Sequence, residues 1–570
     1  MRYLALACDY DGTLALAGHV DPTTIDALRR LRESGRRLVL VTGRSLPDIL
    51  AVFPAANIFD RIIAENGAVL YRPAEREEKS LADPPSPELV SALRHEGVMP
   101  LSVGRTIVAT WHPHETTVLR LIRDLGLELQ VIFNKGAVMV LPSGVNKASG
   151  LAAALGELAL SPHNCVGVGD AENDHTFLAL CECAAAVANA LPMLKERADL
   201  VTQADHGAGV IELIERMLTS DLEDLQPSLS RHLIPLGKTE SGETLQLDPY
   251  CNRVLIAGPS GSGKSTLATA IFEQLAERGY QICVVDPEGD YSKVDWAIVL
   301  GDQTRATTIP EVLDVLSSPG RNVVVNLLGI ALAERPQFFT ALLPRLLELR
   351  AQTGRPHWIV IDEAHHLLPA APGSTPLMLS DDCQGIMLIT VHPENVAPAV
   401  LSWVTMVMAV GGESQDVIRG FCEATGQPMP RVTAEATKAG EALFWAPSAQ
   451  APPVTFRSDG PRGERRRHLR KYAAGELGPD RSFFFRGADE RLNLKAQNLV
   501  TFLQLADGVD DETWLHHLHK NDYSRWFRES IKDDALSKEA ETVETAPDIT
   551  AAESRAGIRA AVERRYTLPS

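Results

Sequence analysis

Tyr3-Leu4-Ala5-Leu6-Ala7-Cys8-Asp9-Tyr10-Asp11-Gly12-Thr13 is an apolar run that ends in two carboxylates and a glycine turn. The run reads as a buried strand, and open α/β sheets gather their chemistry at the C-terminal edge of such strands. Asp9 and Asp11, two residues apart on extended backbone, point to one side. One is placed to attack phosphorus while the other handles the proton. Three more strand ends and helix starts follow in the same style. Leu38-Val39-Leu40-Val41 ends in Thr42-Gly43-Arg44, a hydroxyl and open backbone N–H groups suited to phosphate oxygens. Gly144-Val-Asn-Lys147-Ala-Ser-Gly-Leu151 opens a helix with a lysine in its first turn, and Val166-Gly167-Val168-Gly169 ends in Asp170-Ala-Glu-Asn173-Asp174.

This order of motifs over about residues 1–220 resembles the haloacid dehalogenase phosphatases, nearest to their Cof-type and sucrose-phosphatase-like branch. The resemblance implies a Rossmann-like α/β domain with an aspartyl-phosphate mechanism. Asp9 is then the nucleophile and Asp11 the general acid and base, splitting one displacement into two easier ones. Thr42, Gly43 and Lys147 hold the phosphoryl group, with Asn173 in support. Mg²⁺ falls to Asp9, Asp11, Asp170 and Asp174, oxygen ligands that suit a hard cation. The resemblance also implies an α+β cap over about residues 68–145, and a cap of that size suits a small phosphorylated substrate. Arg105, His112 and His114 lie in that segment, as leaving-group contacts or as solvated surface residues.

A second phosphate signature stands mid-chain. Val254-Leu255-Ile256-Ala257 runs into Gly258-Pro259-Ser260-Gly261-Ser262-Gly263-Lys264-Ser265-Thr266. Strand, glycine-rich loop, Lys-Ser and helix make a Walker A loop, whose backbone N–H groups cradle phosphates. Lys264 is expected at the β- and γ-phosphates of ATP and Ser265 at Mg²⁺. Trp358-Ile359-Val360-Ile361 then leads to Asp362-Glu363-Ala364-His365-His366, a Walker B segment in which Asp362 positions Mg²⁺ and Glu363 polarises water. A hairpin is expected around Thr239–Gly242. With Asp286-Pro-Glu-Gly-Asp290 and Asp362-Glu363-Ala364-His365, it gives about residues 230–460 a likeness to the HerA/FtsK branch of P-loop motor ATPases. That likeness implies a RecA-like sheet, a homo-oligomer, and nucleic acid as a partner. Thr390 or His392 stands where the family keeps a γ-phosphate sensor. Arg345, Arg355 and Arg419 are candidates for an arginine given to a neighbouring subunit.

The rest of the chain carries less chemistry. Arg462 to Lys471 is the most basic stretch of a 570-residue chain whose net charge is −19, a balance that argues against indiscriminate nucleic-acid coating. A small helical module is expected over 480–535, its aromatics packing inward, and a flexible tail over 536–570. His516, His517 and His519 lack further ligands at metal spacing. Eight cysteines without zinc-type spacing, no leader and no long apolar run point to a cytoplasmic protein away from membranes. Two other functions are consistent with the motifs: nucleic-acid end processing, and an ATP-driven oligomer regulated by a ligand-sensing phosphatase-like domain.

Overall fold

The computed structural model describes residues 1–134, 136–223, 225, 232–250, 252–259, 261–370, 384–432, 437–438, 440–449, 451–458, 460–461, 482–486, 494–496, 498–531, 533–547 and 549–565. Ser260 and the basic stretch 462–471 lie outside the described residues. The chain divides into two compact units, Met1–Asp459 and Gly460–Ser570.

The first unit holds two large sheets. In the N-terminal one, Ala5–Asp9 sits between Cys165–Gly169 and Arg37–Val41, all parallel, so three of the motif-bearing strand ends share one edge. Leu4 to Cys8, Leu38 to Val41 and Val166 are fully or almost fully buried. Such near-continuous apolar runs are what a parallel sheet covered on both faces requires. Arg61–Ala64 continues the parallel set, and Val69–Arg72 and Glu77–Ser80 extend it antiparallel. These last two strands therefore belong to the main sheet, which corrects the expected cap start at residue 68. The cap's own elements begin with the helix Pro87–His95. They include the four-stranded antiparallel sheet Ser102–Val103, Val108–Trp111, Ala137–Pro142 and Leu129–Asn134, and the helix Glu115–Asp124.

Among the described residues, the second sheet has eleven strands. The Walker A strand Arg253–Ala257 lies at its centre, between Met406–Val410 and Ile386–Thr390. The Walker B strand Trp358–Ile361 is one place further along, so Ile386–Thr390 separates the two phosphate motifs and delivers Thr390 between them. The hairpin Ile234–Thr239 with Thr244–Leu247 forms the antiparallel margin. Because each strand of the parallel core returns by a crossover, the loops after all of them collect at one edge.

In the second unit, Phe483–Phe485 pairs with Leu494–Ala496, and five helices follow among the described residues. Phe485, Phe502, Trp514 and Tyr523 are buried together, and Trp514 Nε1 donates to Ser554 Oγ at 2.9 Å. The sequence-based expectation of a flexible segment from 536 is corrected here. Asp534–Glu544 and Ala551–Arg565 are helices whose Leu536, Ala540, Ile558 and Ala561 close the same core. Alanine-rich faces bury little area each, so their share of a core is hard to read from hydrophobicity; their helix propensity is the better signal. His517 Nε2 accepts from Arg486 N (2.9 Å), so its Nδ1 carries the proton and donates to Asp522 Oδ2 (2.7 Å), an ordinary structural use. No described helix is long and apolar enough to cross a membrane.

Candidate functional site

At the edge of the first sheet, Lys147 is the centre of the arrangement. Its helix, Lys147–Glu157, opens on Asn146, whose side chain accepts from Ala148 N and Ser149 N. That cap fixes the first turn and aims Lys147 inward. Lys147 Nζ donates to Asp9 Oδ1 and to Asp174 Oδ1, both at 2.6 Å, and all three side chains are buried. Asp174 Oδ2 accepts from Asp170 N and Ala171 N, each at 2.9 Å, so the turn after the strand locks its own carboxylate. Asp170 Oδ1 accepts from Thr13 Oγ1 at 3.1 Å. Gly12 has φ +91°, and a Cβ there would stand 2.4 Å from Asp170 Oδ2, so only glycine lets the first loop approach.

Oxygens of Asp9, Asp170 and Asp174 lie within 4.8 Å of one another. Burial pushes the Asp9 carboxyl well above the usual carboxylate range, and the charges of Asp174 and Asp170 add to this against Lys147. Burial opposes the Lys147 ammonium, but Asp174 and Asp9 overcome it and hold its pKa up. Three buried carboxylates thus share one ammonium. The deficit of positive charge and the all-oxygen donor set fit a hard divalent cation.

Asp11 is not part of that cluster. Its two oxygens accept a bidentate fork from Arg44, Nε to Oδ2 and Nη2 to Oδ1, both 2.7 Å, at a half-exposed position. The expected place of its carboxylate among the metal ligands is therefore corrected: Arg44 engages both oxygens, and the grouped carboxylates are Asp9, Asp170 and Asp174. Thr42 is buried beside them, its Oγ1 accepting from Arg44 N at 3.1 Å, and Gly43 would place a Cβ 3.2 Å from Asn66 Oδ1. Asn173 donates to Asn66 Oδ1 at 3.1 Å, and its own Oδ1 is buried without a hydrogen-bond partner.

Two residues escaped the sequence reading. After the strand Arg61–Ala64 comes Glu65-Asn66-Gly67. Glu65 accepts from the backbone N–H of Arg105, Thr106 and Ile107 at 2.9, 3.0 and 3.2 Å, and from Thr106 Oγ1. A buried core carboxylate thereby ties down the edge of the cap. Asn66 links the same turn to Asn173. The signal was a further strand end with a polar triplet, just ahead of the expected cap. Between cap and core opens a cavity of about 270 Å³, lined by Asn66, Gln130, Phe133, Lys147, Glu172 and Asn173. Arg105, His112 and His114 turn to local partners instead: Glu78, Glu115 and the Met99 carbonyl.

The central site is built differently. Gly258 lies so close to the neighbouring strand that a Cβ would stand 2.1 Å from Val410 O, and Gly263 has φ +104° as it opens the helix Lys264–Glu277. Gly261 is also left-handed, and Pro259 O accepts from Lys264 Nζ at 3.1 Å. Ser265 and Thr266 follow Lys264 in the helix's first turn. Asp362 is buried, and burial together with Asp286 and Glu363 pushes its carboxyl well up. Glu363 sits at φ 42°, a left-handed position that costs a glutamate energy. Its Oε2, Ser262 Oγ and Tyr291 OH are buried without hydrogen-bond partners. Burial lowers the Lys264 ammonium, opposed by Glu363 and Asp362. Orphaned donors and acceptors around a loop of backbone N–H groups fit a nucleotide phosphate with its cation.

Thr390 is buried there and its Oγ1 lies 3.0 Å from His365 Nδ1, whereas His392 is exposed beside Glu394. Arg345 and Arg419 are exposed in pairs with Glu348 and Asp416. Arg355 is fully buried, donating to Gln281 Oε1, Leu316 O and Ala159 O, so it is withdrawn as an arginine for a neighbour.

These two sites define a haloacid dehalogenase-type phosphatase domain followed by an AAA-type ATPase domain. A haloacid dehalogenase-like hydrolase family matches residues 6–93 and 120–214, and an AAA ATPase domain matches residues 246–385. The chain is 31% identical over 224 residues to the phosphoglycolate phosphatase of Methanothermobacter thermautotrophicus, covering 38% of this chain and 98% of that protein. It is 32% identical over 225 residues to the phosphoglycolate phosphatase of Haloarcula marismortui, covering 37% and 95%. The chain belongs to the haloacid dehalogenase-like hydrolases through its first 214 residues. A solved haloacid dehalogenase-like hydrolase from Bacteroides thetaiotaomicron aligns with 38% of this chain and 99% of its own, at 20% identity and a TM-score of 0.34.

Proposed function

We propose that the chain is bifunctional: a Mg²⁺-dependent phosphatase of a small phosphorylated metabolite, joined to a HerA-like domain that hydrolyses ATP. The buried Asp9–Lys147–Asp174 clamp, facing a cavity of about 270 Å³, carries the phosphatase reading. In this mechanism Asp9 attacks phosphorus and its leaving alkoxide takes a proton from Asp11. Asp11 then removes a proton from the water that cleaves the aspartyl-phosphate. Arg44 holds Asp11 in the resting state and releases it when a phosphoryl group competes for the guanidinium. Lys147, Thr42 and the Gly43 backbone hold the phosphoryl oxygens, and Asn173 is steadied by Asn66. Asp9, Asp170 and Asp174 would hold Mg²⁺, which supplies charge for the developing oxyanions.

The cavity is compact, and both curated relatives act on phosphoglycolate, so phosphoglycolate and sugar phosphates of similar reach are the substrates of choice. In the ATPase, Lys264 and the loop bind the phosphates of ATP, Ser265 and Asp362 would hold its Mg²⁺, and Glu363 orients the attacking water. The hairpin before the Walker A strand and the Asp286–Asp290 loop favour the HerA-like assignment.

Phosphate release from a panel of phosphoglycolate, sugar phosphates, nucleotides and phosphorylated nucleic-acid ends tests this. Release from small metabolites that depends on Asp9, with separate ATP turnover that depends on Lys264, supports the reading. Release confined to nucleic-acid ends, or metabolite turnover that survives Asp9→Asn, sinks it.

A further inference from the structure

The phosphatase and ATPase domains meet along a seam of buried polar side chains. His163 lies in the short turn Pro162–Asn164 of the phosphatase domain, its ring stacked on Tyr280 of the ATPase domain at 3.8 Å. Its Nε2 donates to Arg278 O at 2.7 Å. That bond fixes the tautomer, because a carbonyl can only accept. The Nδ1 lone pair of a neutral His163 therefore faces Glu182 Oε2, only 2.6 Å away. His232, which leads into the first strand of the ATPase domain, brings its Nδ1 to 3.5 Å from the same oxygen. The His163 Nδ1 lone pair and a carboxylate oxygen cannot stand that close without a positive species between them, a proton or a metal ion, and His232 Nδ1 approaches the same oxygen.

We propose that His163, Glu182 and His232 form a Zn²⁺ site that staples the phosphatase domain to the ATPase domain. Two imidazoles and one carboxylate are a borderline-soft donor set that suits zinc better than Mg²⁺. Candidate ligand atoms lie within 4.8 Å of one another, and the His163 and His232 rings are 6.1 Å apart and nearly perpendicular, a spacing that a shared tetrahedral ion spans. The groups behind the ligands are those that orient metal sites. Arg278 O holds the far nitrogen of His163, and Tyr280 OH donates to Glu182 Oε2 at 3.1 Å. Arg2 takes the other carboxylate oxygen at 3.0 Å, leaving Oε2 as the ligand atom. A cavity of about 30 Å³ adjoins Glu182 and His232, large enough for one water as fourth ligand. Asp199 and Asp248 line it too, and their charges balance the ion and Arg2. This site is separate from the Asp9 cluster and does not rest on the proposed reactions.

The test uses the full chain purified without chelator. Zinc is quantified in the wild type, in His232→Ala and His232→Cys, and in Asp170→Asn, which disables the other candidate cation cluster. A stoichiometric ion in the wild type and Asp170→Asn, lost in His232→Ala and regained in His232→Cys, is expected. Co²⁺ added to the stripped chain should give the visible bands of a tetrahedral site with the same dependence on residue 232. Chelation should lower the melting temperature of the wild type and leave that of His232→Ala unmoved. Zinc content or cobalt bands indifferent to His232→Ala would overturn the proposal, as would a wild type that holds neither ion. In the second case the positive species is a proton, and the seam is a His163–Glu182 ion pair.

Discussion

The two phosphate sites of this chain solve the same electrostatic problem in opposite ways. Around Asp9, the carboxylates are buried but already neutralised in part by a lysine from the neighbouring helix, with every contact at 2.6–3.1 Å. Around Lys264, the loop supplies backbone N–H groups and glycine geometry, while Asp362, Glu363 and Asp286 crowd together and several polar atoms stay unpaired. The first site is held together by its own charges. The second is strained and acidic until a ligand arrives, and so spends stability on function.

The largest effects should come from breaking each site separately. Asp9→Asn removes the attacking oxygen, and metabolite phosphatase activity should fall roughly a thousand-fold or more. ATP turnover by the same protein should stay at the wild-type rate. Lys264→Ala should do the converse, lowering ATP hydrolysis by about a hundred- to a thousand-fold while leaving metabolite turnover intact. A parallel loss of both activities in either variant would mean that the sites do not work independently.

Stability sharpens the same contrast. Asp174→Ala leaves Lys147 with one buried partner fewer and unpairs two backbone N–H groups, so it should cost about 3–5 kcal/mol by chemical denaturation. Asp362→Asn relieves repulsion with Asp286 and Glu363 and removes a buried charge, so the ligand-free chain should gain about 1 kcal/mol or more. Destabilisation by Asp362→Asn would show that the acidic site is not strained.

Much of this was legible in the sequence because strand ends advertise themselves. An apolar run stopping at Asp9, Thr42, Asp170, Gly258 or Asp362 needs only the parallel-sheet rule to place its last residue at a common edge. What stayed hidden depended on tertiary choice. Arg355 looks like any surface arginine until its burial at the domain seam is seen. Asp11 has the spacing of a metal ligand, yet Arg44 claims both its oxygens. Val69–Arg72 reads equally well as cap or sheet edge, since a strand's pattern does not name its partner. The two C-terminal helices hide because alanine contributes little hydrophobic signal.

One helix carries the comparison from buried to exposed charge. Lys147–Glu157 begins with the buried clamp and ends at Glu157, which pairs with Arg61 at 3.0 Å and Arg72 at 2.7 Å on a half-covered surface. A carboxylate at a helix C-terminus is disfavoured by the helix dipole, so these arginines offset it. The hydrogen bond from Arg72 holds the Glu157 carboxyl down, from its ordinary 4.5 to about 2, against the cost of burial and with the help of Arg61. A depressed acid stabilises the fold above its unfolded value and loses that contribution as pH falls through its folded value. Glu157→Gln should therefore lower the melting temperature by a small amount at neutral pH, in keeping with surface pairs worth up to about 1 kcal/mol. The difference from wild type should shrink as pH drops below 4.5 and vanish near about 2. Raising the salt concentration at neutral pH should shrink it too, whereas the cost of Asp174→Ala, whose partners are out of water's reach, should hardly respond to salt. Equal salt sensitivity of the two variants would remove the distinction between the helix's two ends.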